Sequence, residues 1–141
     1  MSAPAVLSPT FVWRGEFTST EANQLHAEAF ETPVFSDQEW NWVEQVERHS
    51  MGWVTARLET GELVGFVNVI WDGFVHAWIQ DVMVAVSARH QSVGVQLVYA
   101  ARDHCRAAGC EWLHVDFHNE LADFYITTCG FAPSAAGLME L

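Results

Sequence analysis

VMVAVSARHQSVGVQLVYAARDHCRAAG, residues 82–109, is the stretch from which the rest of the fold is read. Val82, Val84 and Val86 alternate at period 2 and end at Ser87, the pattern of a β-branched strand. Val93, Leu97, Ala101, Cys105 and Ala108 follow at helical spacing, and Gly109 stands where a helix would stop. Between them lies Arg89-His90-Gln91-Ser92-Val93-Gly94. A chain that leaves a strand and enters a helix exposes backbone N–H groups that have no partner inside the helix. The helix dipole adds positive potential at the same place. Strand, turn and helix together therefore predict an anion cradle.

The totals bound what such a cradle can serve. The chain has 141 residues, half of them hydrophobic and only 17% charged, a balance that predicts a folded core. We expect a single domain over residues 1–141. No stretch is long and apolar enough to read as a transmembrane helix, and the start lacks the basic residues of a secretory signal. Cys105, Cys110 and Cys129 form no paired framework, so a cytoplasmic location with free thiols is expected. The formal net charge is −12 and the six basic residues are all Arg. No basic patch can be built from these, which argues against nucleic acid and anionic membrane as partners. Acidic walls suit a cationic substrate, and they serve solubility equally well. Without Lys there is no Schiff-base chemistry and no Walker-type phosphate loop.

Taken in order, Phe11 to Arg14 reads as a first strand. Thr18-Ser19-Thr20-Glu21 has the form of a capping box and predicts a helix through Phe30. Ser36-Asp37-Gln38-Glu39 repeats that form and predicts a second helix from there, carrying Trp40, Val43 and Val46. Trp53 to Leu58, Leu63 to Trp71 and Phe74 to Val86 then read as a three-stranded antiparallel meander. After the helix from Ser92, Glu111 to Phe117 reads as a strand. A strand–helix–strand unit predicts a parallel neighbour. Asn119 to Cys129 reads as a short helix ended by Gly130, and Phe131 with Gly137 to Leu141 as a small terminal hairpin or edge strand. The fold class is α+β with a mixed sheet.

This order of elements resembles the GNAT (GCN5-related N-acetyltransferase) superfamily, over nearly the whole chain. Arg89-His90-Gln91-Ser92-Val93-Gly94 is similar to the family's acetyl-CoA pyrophosphate loop, Arg/Gln-x-x-Gly-x-Gly/Ala, with Ser92 at the first Gly position. Asn119 to Tyr125 followed by Cys129-Gly130-Phe131 is similar to the family's N-x-x-A-x-x-[FL]-Y…G-F pattern. The resemblance implies the GNAT fold, a mostly antiparallel central sheet flanked by about four helices. It implies a transferase, an acetyl-CoA-dependent N-acetyltransferase that moves an acetyl group to a small-molecule amine or an amino terminus by direct attack on the thioester. The alternative is a catalytically weak GNAT-fold protein that binds acyl-CoA or a partner. Homodimers are frequent in the family, and a strand edge near Leu141 is where a second copy would pair.

The resemblance also assigns residues. Arg89, His90, Gln91, Ser92, Val93 and Gly94 would wrap the pyrophosphate, mainly with backbone N–H groups. Gly at that position permits a close backbone approach; Ser92 would serve there if its φ is negative, and its hydroxyl could bond a phosphate oxygen. Backbone groups at Val82 and Val84 would pair with the pantetheine arm as a further strand would, and the N–H near Val84 would face the thioester oxygen. Asn119 would bond the arm or cap the helix that follows. Tyr125 is the candidate general acid for the departing thiolate, or else a core tyrosine. Asp81 interrupts an apolar strand and is the candidate base or cation holder, or else bonds a nearby loop. His76 is a second candidate base. His114, Asp116 and His118 share a strand face by parity, but their spacing matches no zinc signature, so no metal is expected. Tryptophans on the second helix and the meander would give the acceptor cleft an aromatic lining.

Overall fold

The structure is a computed structural model, described here for residues 8–141. Five strands stand in the order β1 (Thr10–Trp13), β2 (Gly52–Arg57), β3 (Leu63–Trp71), β4 (His76–Val84) and β5 (Trp112–Val115). The first four pair antiparallel, and β5 joins β4 in parallel. The helices are α1 (Ser19–Phe30), α2 (Trp42–His49) and α3 (Val93–Ala107), followed by a π-helical segment at Asp123–Thr128. This is the mixed, mostly antiparallel α+β architecture expected. No described helix is long and apolar enough to cross a membrane.

The two helical layers lie on opposite faces of the sheet, as alternation along β3 requires. Phe66 packs edge-on against Phe17 and Trp42, on the α1 and α2 face. Its neighbour Gly65 faces the other way, where an added Cβ would come within 3.1 Å of Val93 and Leu97 of α3. Fully buried Phe66, Met83, Val67 and Leu97 fill the space between the layers.

Local chemistry explains where the elements start and stop. The Thr18 hydroxyl accepts the Glu21 N–H at 3.1 Å and the Glu21 carboxylate accepts the Thr18 N–H at 3.0 Å, closing the predicted capping box. The same reciprocal pair forms between Ser36 and Glu39, at 3.1 and 3.2 Å, but it closes a turn and no helix. Asn41 is the cap instead: its Oδ1 accepts the Glu44 N–H at 3.1 Å, and α2 starts at Trp42, later than expected. The third strand is trimmed to His76–Val84. Phe74 and His76 both give their N–H to Asp72 Oδ1, which makes their part of the chain a turn. The predicted terminal hairpin or edge strand is absent: residues 130–141 form no regular structure, so the edge near Leu141 does not exist and the free edge on that side is β5.

Candidate active site

The site begins at a defect in β4. Phe66 pairs with Met83 and Asn68 with Gln80, so Asp81 and Val82 together face the single residue Val67. This is a β-bulge, and it puts Asp81 in the left-handed region at φ 56°. Beyond it the two parallel strands separate. Pairing of β4 with β5 runs only from His76↔Trp112 to Ile79↔Val115, while β4 continues to Val84. The Ala85 N–H donates to Val64 O at 2.8 Å, which makes Gly65↔Val84 a pair without direct hydrogen bonds. The Val84 N–H therefore points away from β3, toward the side that β5 has left. Val82 and Val84 are half-buried there.

The loop next to that gap holds two residues other than glycine in left-handed conformations, His90 at φ 61° and Ser92 at φ 63°. Ser92 does not meet the condition of a negative φ: it adopts the left-handed conformation that a glycine takes without strain. It precedes α3 directly, and no side chain caps the helix start. The first intrahelical bond at this end is Gln96 N–H to Ser92 O, at 3.1 Å. The N–H groups ahead of it are left as donors for an anion, with the helix dipole behind them. Gly94 is needed for close approach. A Cβ there would lie 3.1 Å from the Phe124 ring and 3.7 Å from Val84. Uncapped donors beside a cradle that a methyl group would crowd fit a pyrophosphate and the start of an extended arm. The Arg89 side chain turns away from this end. Its Nη2 donates to Ala29 O, at 3.4 Å, at the end of α1. Gln91 Nε2 donates to Ser87 O at 3.4 Å.

The far wall of the gap is the segment after β5. Asn119 opens a single 3₁₀ turn and is exposed; His118, not Asn119, is the residue that precedes it. Asp123–Thr128 is π-helical rather than the plain short helix expected, with Cys129 N–H on Phe124 O and Phe131 N–H on Tyr125 O at 2.9 and 3.0 Å. The wider turn aims Phe124 at Gly94 and buries Tyr125 among Phe117, Phe124 and Phe131. Burial, with the Cys129 thiol adding to it, pushes the Tyr125 hydroxyl up to about 12, so it stays protonated and able to donate. Burial likewise pushes the Cys129 thiol up to about 11, which makes it a poor nucleophile.

On the opposite face, burial raises the Asp81 carboxyl above the usual range, while the charge of His26 on α1 opposes that rise. Sequence reasoning overlooked His26. It sits among Phe30, Phe35, Trp40 and Trp42, with ring centroids 5.0 to 6.4 Å away, and its Nδ1 is 3.2 Å from Thr32 Oγ1. Its signal was its position four residues before Phe30 on a helix ahead of an aromatic connection. The stretch from Gly15 to Glu47 contains neither Lys nor Arg. His76, the other base candidate, is elsewhere. Its Nδ1 is 2.9 Å from His114 Nε2, and both rings stack with Trp78 at the start of the parallel pair. Among the described residues no group of three His, Cys, Asp or Glu is arranged to hold a metal ion.

A cavity of about 650 Å³ lies away from this gap, between the β1–α1 connection, α2 and β2. Arg57 on its wall is fully engaged with Glu21, Glu16 O and Gly61 O. The space therefore borders a structural clasp and not the anion cradle.

The family model described as the acetyltransferase (GNAT) family matches residues 16–131. A search of curated protein sequences returns no match. Among solved structures, an acetyltransferase of Trypanosoma brucei superposes with a TM-score of 0.74 at 21% identity, over 94% of this chain and 100% of that one. Glucosamine-6-phosphate N-acetyltransferase from Arabidopsis thaliana gives 0.73 at 21% identity, over 94% and 98% of the two chains. The Escherichia coli GNAT protein YhbS, solved in complex with CoA, gives 0.69 at 19% identity, over 94% and 72%. At these identities the likeness shows a shared fold.

Proposed function

The chain belongs to the GNAT acetyltransferase family, whose acetyl donor is acetyl-CoA, and from that premise we propose that it carries the acetyl group directly to a small-molecule amine or an amino terminus. The observation that carries this reading is a coincidence of three features at one end of the sheet. The parallel pair opens after Ile79, the Val84 N–H points into the opening, and α3 presents uncapped N–H groups beside it.

The roles follow from that geometry. Backbone donors from Ser92 into the first turn of α3 hold the pyrophosphate, and Gly94 lets the arm pass close. The edge of β4 at Val82 and Val84 pairs with the amides of the arm. The Val84 N–H stabilises the negative charge that develops on the thioester oxygen. Tyr125, protonated at any working pH, gives a proton to the departing thiolate. Asp81 stands on the other face, beside His26, where it accepts a proton from the amine or holds its cationic form. Asn119, at the start of the far wall, bonds the arm.

The acceptor enters on the α1 and α2 face, past half-exposed Trp40 and Phe30. Aromatic rings with carboxylates, on a stretch from Gly15 to Glu47 that contains no Lys or Arg, favour a cationic amine. The test is a panel of primary amines and peptide amino termini with acetyl-CoA, read as release of free CoA. Release that depends on one class of amine supports transfer. Saturable cofactor binding without release for any amine would favour the binding-protein alternative.

A further inference from the structure

The pyrophosphate loop carries strain that its own sequence does not relieve. His90 and Ser92 are both left-handed without being glycine, and α3 begins with no side-chain cap. Conformations of this kind persist only where surrounding groups hold them. The groups that hold this loop come from the last turn of α1, 58 and 60 residues earlier in the chain. Glu28 Oε1 accepts the Val86 N–H at 2.6 Å, at the point where β4 ends and the loop begins. Three residues on, Arg89 Nη2 donates to Ala29 O at 3.4 Å. The last turn of α1 has no basic residue of its own, so Arg89 supplies the cation that a helix C-terminus favours. One contact is a carboxylate on a backbone N–H and the other a guanidinium on a backbone carbonyl. Together they bracket Val86–Arg89 and fix the approach to the two strained residues.

We propose that Glu28 is a positioning residue for acetyl-CoA: it holds Val86, and through it keeps the loop from Arg89 to Gly94 in the conformation that receives the pyrophosphate. The proposal rests on the reading that this loop is the pyrophosphate site. It gives Arg89 a different task from the one its place in the motif implies. Arg89 acts by fastening the loop to α1. Because α1 also carries His26 and the aromatic wall, the cofactor loop and the acceptor side are tied to one helix.

The test compares Glu28→Ala and Glu28→Gln with the parent chain by calorimetric titration with acetyl-CoA and, separately, with S-acetylpantetheine, which lacks the pyrophosphate. Loss of one such hydrogen bond should weaken acetyl-CoA binding by roughly three- to tenfold in Glu28→Ala. Glu28→Gln keeps an acceptor oxygen and should recover most of that loss. Affinity for S-acetylpantetheine should stay within about twofold of the parent, a pattern that general loosening of the fold does not produce. Adding Ser92→Gly should shrink the effect of Glu28→Ala, because a glycine holds the left-handed conformation unaided. Unchanged acetyl-CoA affinity in Glu28→Ala, equal losses for the two ligands, or an undiminished effect beside Ser92→Gly would each overturn the proposal. If the parent chain itself fails to bind acetyl-CoA, it is the underlying reading of the loop that fails.

Discussion

Replacing Ser92 with glycine should make the protein more stable. Ser92 sits at φ 63° and ψ 15°, a conformation in which a Cβ crowds the following carbonyl. That crowding costs roughly 1–2 kcal/mol, and glycine removes it. Glycine in turn loses more freedom on folding, which takes back about 0.5–1 kcal/mol. Nothing else is lost, since the Ser92 hydroxyl makes no capping bond and the residue is exposed. The net expectation is a gain of about 0.5–1 kcal/mol. With an unfolding entropy of about 2.1 cal/mol/K per residue, a chain of 141 residues should melt about 2–3 °C higher. Thermal melts and urea midpoints of Ser92→Gly and Ser92→Ala measure it. Alanine keeps the Cβ and the crowding, so Ser92→Ala should not gain. A Ser92→Gly protein that melts at or below the parent, or an alanine variant that gains equally, would refute the reasoning.

Tyr125→Phe should lower kcat by roughly 10²-fold while acetyl-CoA affinity stays within about twofold, because the ring packing is kept and only the donated proton is lost; steady-state kinetics beside calorimetry would check both parts. Gly94→Ala should cost about 1 kcal/mol and weaken acetyl-CoA binding, since the new methyl group meets the Phe124 ring at 3.1 Å; urea unfolding and cofactor titration measure the two effects. The Arg57 guanidinium, hydrogen-bonded to Glu21, holds the Glu21 carboxyl below its ordinary value of 4.5. A carboxyl lowered on folding adds stability that is present above 4.5 and is lost as pH falls through its folded value. Both side chains are about one-third exposed, so the contribution is under about 1 kcal/mol. Arg57→Ala should flatten this part of the stability profile below pH 4.5, as seen in urea midpoints measured against pH.

Much of the fold was legible because its signals are local. The Thr18–Glu21 box, the apolar run of β3 and the glycine at 109 each act through neighbouring residues, and each element formed where its signal stood. Where signals competed, sequence order was a poor judge. Ser36 and Asn41 both make capping bonds, and the helix begins at the second because that register buries Trp42 and Val46, which are 1% and 0% exposed. The bulge at Asp81 was hidden for a different reason. Bulges with a left-handed residue usually show a glycine, and here aspartate bears the strain. The π-helical turns were hidden too, since a run such as Asp-Phe-Tyr-Ile-Thr-Thr suits an ordinary helix equally well. The loop and Tyr125 could be named from the motif. The bonds between Glu28 and Val86 and between Arg89 and Ala29 could not, because they span 58 and 60 residues and no local pattern joins their ends.

The central claim places acetyl-CoA in the gap between β4 and β5, with its pyrophosphate at the start of α3. A titration of ¹⁵N-labelled protein with acetyl-CoA, followed by amide NMR shifts, tests that claim most directly. The account predicts saturable shifts concentrated at Val82, Val84, His90 and Ser92–Val95, with smaller ones at Phe124 and Tyr125. Shifts confined to the cavity walls around Glu16, Val43 and Trp53, or no saturable shift at submillimolar acetyl-CoA, would contradict it.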